Sequence, residues 1–73
     1  MLKEDLITIA EYLYGDTWQT SYIAYDLEIG TRTVRAWLTG TPIKASIAKD
    51  ICKLVRKKQK AFRDLEKILK KYE

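Results

Sequence analysis

Two arginines three residues apart carry the most distinctive chemistry in this sequence. Arg32 and Arg35 lie in the stretch GTRTVRAW, residues 30–37, which also holds Val34 and Trp37. Residues three apart share one side of a helix, so a helix here would present both guanidinium groups and bury the apolar pair. An arginine fork can donate two hydrogen bonds to O6 and N7 of guanine. The stretch is therefore a candidate binding segment, provided that its neighbours hold it as a helix.

Length and composition indicate a single small domain. The chain has 73 residues, of which 47% are apolar and 33% charged, with three glycines and one proline. This balance is typical of a folded, mainly helical chain. A core of this size is only marginally stable, so tight helix packing or a second copy is an expected source of stability. We expect a cytoplasmic protein without membrane association, because no apolar run approaches the roughly 20 residues of a membrane span.

Charge is distributed unevenly along the chain. Residues 1–43 hold three Lys and Arg against six acids, whereas residues 44–73 hold eleven against four. A basic surface concentrated in one part of a small domain is typical of proteins with a polyanion partner, although lysine-rich helices are also commonly just solvated.

The residues that most often form catalytic or metal sites are scarce. The chain has one cysteine, Cys52, and no histidine, so a zinc site or a Cys-His nucleophile lacks the necessary partners. We interpret Cys52 as a helix packing residue. The sequence predicts no enzyme activity, no cofactor, no metal and no small-molecule ligand.

Apolar spacing in the first forty residues predicts three helices. The first has apolar positions at intervals of three and four residues and ends at Gly15, which can adopt the left-handed conformation. The second, at about 17–27, follows a weak capping box formed by Asp16 and Gln19. The third is TRTVRAWL, residues 31–38.

The second half of the chain predicts a long basic helix. Gly40 ends the third helix, and the Thr-Pro pair at 41–42 is a good helix start, because proline at a first helical position loses no needed hydrogen bond. No glycine or proline follows, so one helix over 43–72 is our first expectation. Two helices bent near Lys58 are the alternative, since the polar run 57–60 interrupts the apolar stripe.

The second and third helices satisfy the packing pattern of a helix-turn-helix, the unit whose second helix enters the major groove of DNA. With Thr20 as the first position, this packing needs apolar or small residues at six places. Ala24 matters because a large side chain there would push the two helices apart. The six residues are Ile23, Ala24, Leu27, Ile29, Val34 and Trp37.

The stretch TSYIAYDLEIGTRTVRAWLTG, residues 20–40, resembles the phage repressor and Cro-like helix-turn-helix family, also called the xenobiotic-response-element (XRE) type. The similarity continues more loosely through Leu54. It implies an all-α, lambda-repressor-like bundle whose third helix touches base edges. The base-contacting residues that it implies are Thr31, Arg32, Arg35 and Ala36. The candidate phosphate-contacting residues are Gln19, Thr20, Ser21, Thr33, Thr39 and Lys44.

One residue in the turn between the second and third helices departs from the family's pattern. The turn position that the family usually gives to glycine is Glu28 here. A non-glycine residue at positive φ costs roughly 1 kcal/mol, so either the turn bends differently or the domain bears the strain.

Tyr22 and Tyr25 could stack on or donate to a nucleic acid, but tyrosines at helical spacing are more often partly buried, and we expect packing roles.

The last thirty residues have three interpretations. They could pair with a second copy, fold back onto the first helix, or lie on an anionic membrane surface, which the missing tryptophans and interspersed acids disfavour. Dimerisation is favoured because two recognition helices read half-sites about 34 Å apart. The residues predicted to form the dimer contact are Phe62, Leu65, Ile68, Leu69 and Tyr72.

Taken together, the sequence predicts one domain, 1–73, with the first helix and helix-turn-helix core in 1–42 and a basic C-terminal element in 43–73. The expected function is sequence-specific binding of double-stranded DNA by a homodimeric transcriptional repressor of phage or mobile-element type. It would act in the cytoplasm of a bacterial or phage-infected cell. The alternative is a helical protein-interaction module or inhibitor with a helix-turn-helix shape, which Glu28 and the acidic first half favour.

Overall fold

Every regular element in the described part of the chain is helical. The computed structural model describes residues 1–58 and 65–73. Its helices are α1 (Lys3–Tyr14), α2 (Thr20–Leu27), α3 (Thr31–Leu38), α4 (Ala45–Lys57) and α5 (Glu66–Tyr72). The predicted small all-α bundle is confirmed. Within the described ranges, no helix combines the length and the apolar character that crossing a membrane requires.

A single apolar core joins the five helices. Each long helix turns one stripe inward, as its three- and four-residue spacing predicts. Leu6 and Ile9 of α1 have no exposed surface, which confirms the stripe expected for that helix. The buried apolar residues are Leu6, Ile9, Ala10, Leu13, Ile23, Ala24, Val34, Trp37, Ile43, Ala48, Ile51, Cys52, Val55, Leu65 and Leu69.

The predicted helix limits hold for α1 and α3 but not for the start of α2. Gly15 follows α1 at φ 90°, a conformation that glycine adopts without steric cost. The α3 limits, residues 31–38, are as predicted. The predicted capping box is wrong. Helix α2 begins at Thr20, so Gln19 is its N-cap residue, and no side chain forms a capping hydrogen bond there.

The fourth helix begins three residues later than the Thr-Pro pair suggested. Lys44 is the residue before α4 and has extended backbone, at φ −63° and ψ 149°. Ile43 is buried in the core, and its carbonyl oxygen accepts a hydrogen bond from the amino group of Met1. The prediction of a helix from Pro42 is wrong because residues 41–44, which bury Ile43 in the core, are not helical.

The described residues of the C-terminal half form two helices, α4 and α5, so the prediction of one continuous helix is wrong. In a continuous helix Arg56 and Glu73 would lie roughly 26 Å apart, at 1.5 Å per residue. Instead, Arg56 Nε donates to Glu73 Oε1 over 2.7 Å, and Arg56 Nη1 donates to Glu66 Oε1 over 2.7 Å. The chain therefore reverses after α4, in agreement with the alternative of two helices.

Helix α5 folds back onto its own chain. Tyr72 Oη and Lys71 Nζ both donate to the Asp5 carboxylate of α1, the lysine over 3.0 Å. Leu65 and Leu69 are completely buried in the core, so these two residues are not available for the predicted dimer contact. Ile68 and Tyr72 are half-buried, and Phe62 lies outside the described residues. For α5, the second of the three interpretations is the one observed.

The turn between α2 and α3 carries backbone strain at Glu28. Its φ of 57° and ψ of 43° lie in the left-handed region, which disfavours every side chain with a Cβ. The Ile29 N–H donates to the Ala24 carbonyl and the Glu28 N–H to the Tyr25 carbonyl, the two bonds of a Schellman motif. This motif normally has glycine at its left-handed position, so the domain bears the strain that the sequence suggested.

Replacing Glu28 with glycine is expected to stabilise the fold. Removing the Cβ relieves the left-handed strain and should raise the free energy of unfolding by about 0.5–1 kcal/mol. Urea denaturation of Glu28→Gly measures this. The matched control is Glu28→Ala, which removes the same charge but keeps the Cβ. Equal stability of the two variants would mean that charge, not backbone strain, accounts for the change.

The contact between α5 and α1 is expected to weaken in acid. Burial raises the pKa of Asp5, but the hydrogen bonds from Tyr72 and Lys71 outweigh this and hold it below its ordinary value of 3.8. A carboxylate with a lowered folded pKa contributes stability above its unfolded pKa and loses it as the pH falls through the folded value. Tyr72→Phe should therefore lower the unfolding free energy by about 1 kcal/mol at neutral pH.

The pH dependence distinguishes this contact from simple loss of packing. In urea denaturation from pH 7 down to pH 2, Tyr72→Phe should lose less stability below the ordinary Asp pKa than the unmodified protein. Parallel curves for the two proteins would contradict a role for the Tyr72 hydroxyl in holding the Asp5 charge.

Candidate nucleic-acid interface

The position of α3 is set by its packing on α2. Val34 has no exposed surface and Trp37 is 5% exposed, so both side chains lie in the core. On the facing side of α2, Ala24 is 2% exposed and Ile23 is also buried. Leu27 and Ile29 pack against the same cluster as partly buried residues. All six predicted packing positions are therefore inside or at the edge of the core.

With Val34 and Trp37 buried, the opposite face of α3 must point to solvent. Arg32 and Arg35 are both exposed there. Among the residues that the structure describes, neither guanidinium forms an ion pair. Thr31 and Ala36, the other two candidate base contacts, are half-buried beside them. The structure thus brings the four residues to one accessible helix face that carries two positive charges.

The first turn of α3 is open toward solvent. Gly30 precedes the helix and no side chain caps its end. Backbone N–H groups at a helix start attract anions, because they lack acceptors and carry the positive end of the helix dipole. The Thr33 hydroxyl is exposed at this end. These groups add phosphate-binding capacity next to Arg32.

The other candidate phosphate contacts divide into available and occupied groups. Gln19, Ser21 and Lys44 are exposed, and Thr20 is half-buried at the start of α2. Thr39 is occupied: its hydroxyl donates to the carbonyl oxygens at the end of α3, those of residues 35 and 36. In this arrangement Thr39 completes the helix end and has no hydroxyl proton left for a phosphate.

Two tyrosines of α2 are more exposed than the sequence suggested. Tyr25 is 85% exposed and Tyr22 is 43% exposed, so the expectation that both are packing residues is wrong for Tyr25 and only partly right for Tyr22. The Tyr22 ring lies 5.7 Å from that of Tyr14 in a tilted contact. Helical spacing from Ile23 and Ala24 could have indicated this, because residue 25 falls on the far side of α2.

A small polar network borders these tyrosines. Tyr14 Oη donates to Asp26 Oδ2, and Lys58 Nζ lies 3.2 Å from the same oxygen and 5.5 Å from the centre of the Tyr14 ring. The hydrogen bond from Tyr14 lowers the pKa of Asp26, while burial and this carboxylate raise the pKa of the Tyr14 hydroxyl. The network joins the C-terminal ends of α1, α2 and α4.

The basic charge of α4 forms a separate row. Lys49, Lys53 and Lys57 are exposed at four-residue intervals, which places them along one side of the helix. Arg56 lies beside this row but is paired with two carboxylates, those of Glu66 and Glu73. We call the three lysines the lysine ridge.

The one cysteine lies in the core, as predicted. Cys52 is 1% exposed, and its Sγ lies 3.9 Å from the carbonyl oxygen of Leu69. Burial raises the pKa of its thiol, which keeps the nucleophilic thiolate rare at neutral pH. In the ranges 1–58 and 65–73, no cluster of three or more potential metal-ligating acids or cysteines is present.

Enlarging Ala24 is expected to separate α2 from α3. Ala24→Leu introduces a larger side chain into a position with 2% exposure and should lower the unfolding free energy by about 1–3 kcal/mol. The matched control is Ser21→Leu, which adds similar bulk on the exposed side of α2 and should change stability by less than about 0.5 kcal/mol. Thermal unfolding followed by circular dichroism measures both; equal loss would show that Ala24 does not set the helix spacing.

Comparison with protein-family models, with curated proteins and with solved structures finds no match to this chain.

Proposed function

We propose that this chain binds double-stranded DNA in a sequence-specific way, with α3 as the recognition helix in the major groove. The observation that supports this best is the exposed pair Arg32 and Arg35, which form no ion pair with the described residues. The opposite face of their helix is buried through Val34 and Trp37. Such a helix presents rigidly positioned donors, and guanine offers the acceptors that suit them.

The size of α3 fits this role. An α-helix with its side chains is about 10–12 Å in diameter, which fits the major groove of B-DNA, about 12 Å wide. Arg32, in the first turn, is the proposed base reader. Arg35 lies one turn further along and serves as a second reader or a phosphate contact. Thr31 and Ala36 complete the face that meets the base edges.

Backbone contacts would fix the protein on the duplex. The candidates are grouped around the starts of α2, α3 and α4, where helix ends favour phosphate. Glu28 opposes binding locally, because it places an exposed carboxylate beside the start of α3. The proposed phosphate contacts are Gln19, Thr20, Ser21, Thr33 and Lys44.

The proposed biological role is transcriptional regulation in a bacterial or phage-infected cell. A homodimer would present two copies of α3 to the two halves of an inverted repeat, about 34 Å apart, and would repress by occupying an operator. A competing role is a protein-interaction module with the same shape, which the exposed Glu28 favours. Sequence preference separates the two, because an acidic protein partner would not select a base sequence.

Selection from a randomised duplex library at about 150 mM salt, near physiological ionic strength, tests the proposal. Enrichment of an inverted repeat is the expected result, and its spacing gives the distance between the two recognition helices. A single enriched half-site would support DNA reading by a monomer. Absence of any motif would contradict the proposed function and favour a protein partner.

Arg32→Ala is expected to weaken binding to the selected sequence by about 1–3 kcal/mol and to relax the preference at one base position. Fluorescence anisotropy with the selected duplex and with single-base variants measures both effects. Lys67→Ala, which removes one exposed charge from α5, is the control and should leave the base preference unchanged. Retention of the full base preference by Arg32→Ala would remove this residue from the reading face.

A further inference from the structure

Two residues of the dimer contact that the sequence predicts are buried in the core. Leu65 and Leu69, which were expected to face a second copy, are buried within their own chain. A different surface is therefore the better candidate for joining two copies if the protein is dimeric, as the proposed function requires. The charges and exposed aromatic groups of the described residues identify one.

Three of the helix faces would repel a second copy across a twofold axis. Such an interface brings the same patch of both chains together, so a patch of one charge faces itself. The reading face of α3 carries Arg32 and Arg35, and the lysine ridge carries three positive charges. The outer side of α1 carries Glu4 and Glu11, seven residues apart and both exposed.

The tyrosine side of α2 differs in both charge and composition. A groove of about 410 Å³ lies there, lined by Tyr14, Ser21, Tyr22, Tyr25, Asp26 and Lys58. In this lining the acidic and the basic side chain are paired with each other, so the net charge is zero. Exposed tyrosines beside a neutral groove are typical of the central residues of protein interfaces. We call the part of this lining formed by Tyr14, Tyr22, Tyr25, Asp26 and Lys58 the tyrosine surface.

We propose that the tyrosine surface is the contact between two copies of this chain, with Tyr22 and Tyr25 inserted against the same surface of the partner copy. The proposal rests on the proposed function for its need of a dimer. Opposite charges on one self-complementary patch allow Asp26 of each copy to face Lys58 of the other. Tyr22 is held in place by the Tyr14 ring, so less side-chain freedom is lost on association.

The experiment measures self-association without DNA. Sedimentation equilibrium of the full chain from about 10 to 500 μM covers the affinity expected of a small interface. The unmodified protein should show a monomer–dimer equilibrium, and Tyr25→Ser and Tyr22→Ser should each raise the dimer dissociation constant by about tenfold or more. The matched control is Leu2→Ser, which removes an apolar side chain of 59% exposure outside the tyrosine surface and should leave it unchanged.

A monomer at every concentration would overturn the proposal, as would a dimer that neither tyrosine substitution weakens or that Leu2→Ser weakens equally. Circular dichroism confirms folding, which these exposed substitutions should not alter. A failure here is distinguishable from failure of the DNA-binding proposal, because selection from the duplex library reports sequence preference whether or not the protein dimerises.

Discussion

The burial of Val34 and Trp37 is the constraint on which the arrangement of the candidate interface depends. These two side chains lie in the core where α3 packs on α2, whose buried residue Ala24 is small. Their burial rotates α3 about its axis so that Arg32 and Arg35 point outward. The Schellman turn completes the arrangement, and the left-handed backbone at Glu28 is a cost of reversing the chain within three residues.

The C-terminal half of the chain contributes buried side chains to the same core. A chain of 73 residues buries a smaller fraction of its surface than a larger domain does, so each apolar side chain matters. Folding α5 back buries Leu65 and Leu69 and brings Asp5 of α1 within reach of Tyr72. Arg56 joins the end of the chain to α4 through two carboxylates. The helix that could have joined two molecules thereby completes one.

The exposed faces of the domain differ in charge and therefore in the kind of partner that suits them. Acids and bases that meet at helix ends, such as Asp26 and Lys58, neutralise each other within the chain. The arginines of α3 and the lysine ridge form no ion pair within the described part of the chain, so they are suited to a polyanion. The tyrosine surface is neutral and aromatic, which suits a protein partner. Separate faces of one small domain are therefore suited to different chemistry.

The sequence by itself determined the local elements. Helical periodicity and glycine placement gave the limits of α3 and the end of α1, and the spacing of small and apolar residues identified all six positions between α2 and α3. These properties depend on neighbours within a few residues, which the sequence displays directly. The outward position of Arg32 follows from the same periodicity.

Only the tertiary structure decided which surfaces are covered. The reversal after α4 and the non-helical segment that buries Ile43 both depend on contacts between residues far apart in the chain. Periodicity shows that Leu65 and Leu69 share a face, but the same face can be buried by another copy or by α1 and α4. That choice depends on the competition between long-range contacts, and local spacing contains no information about it.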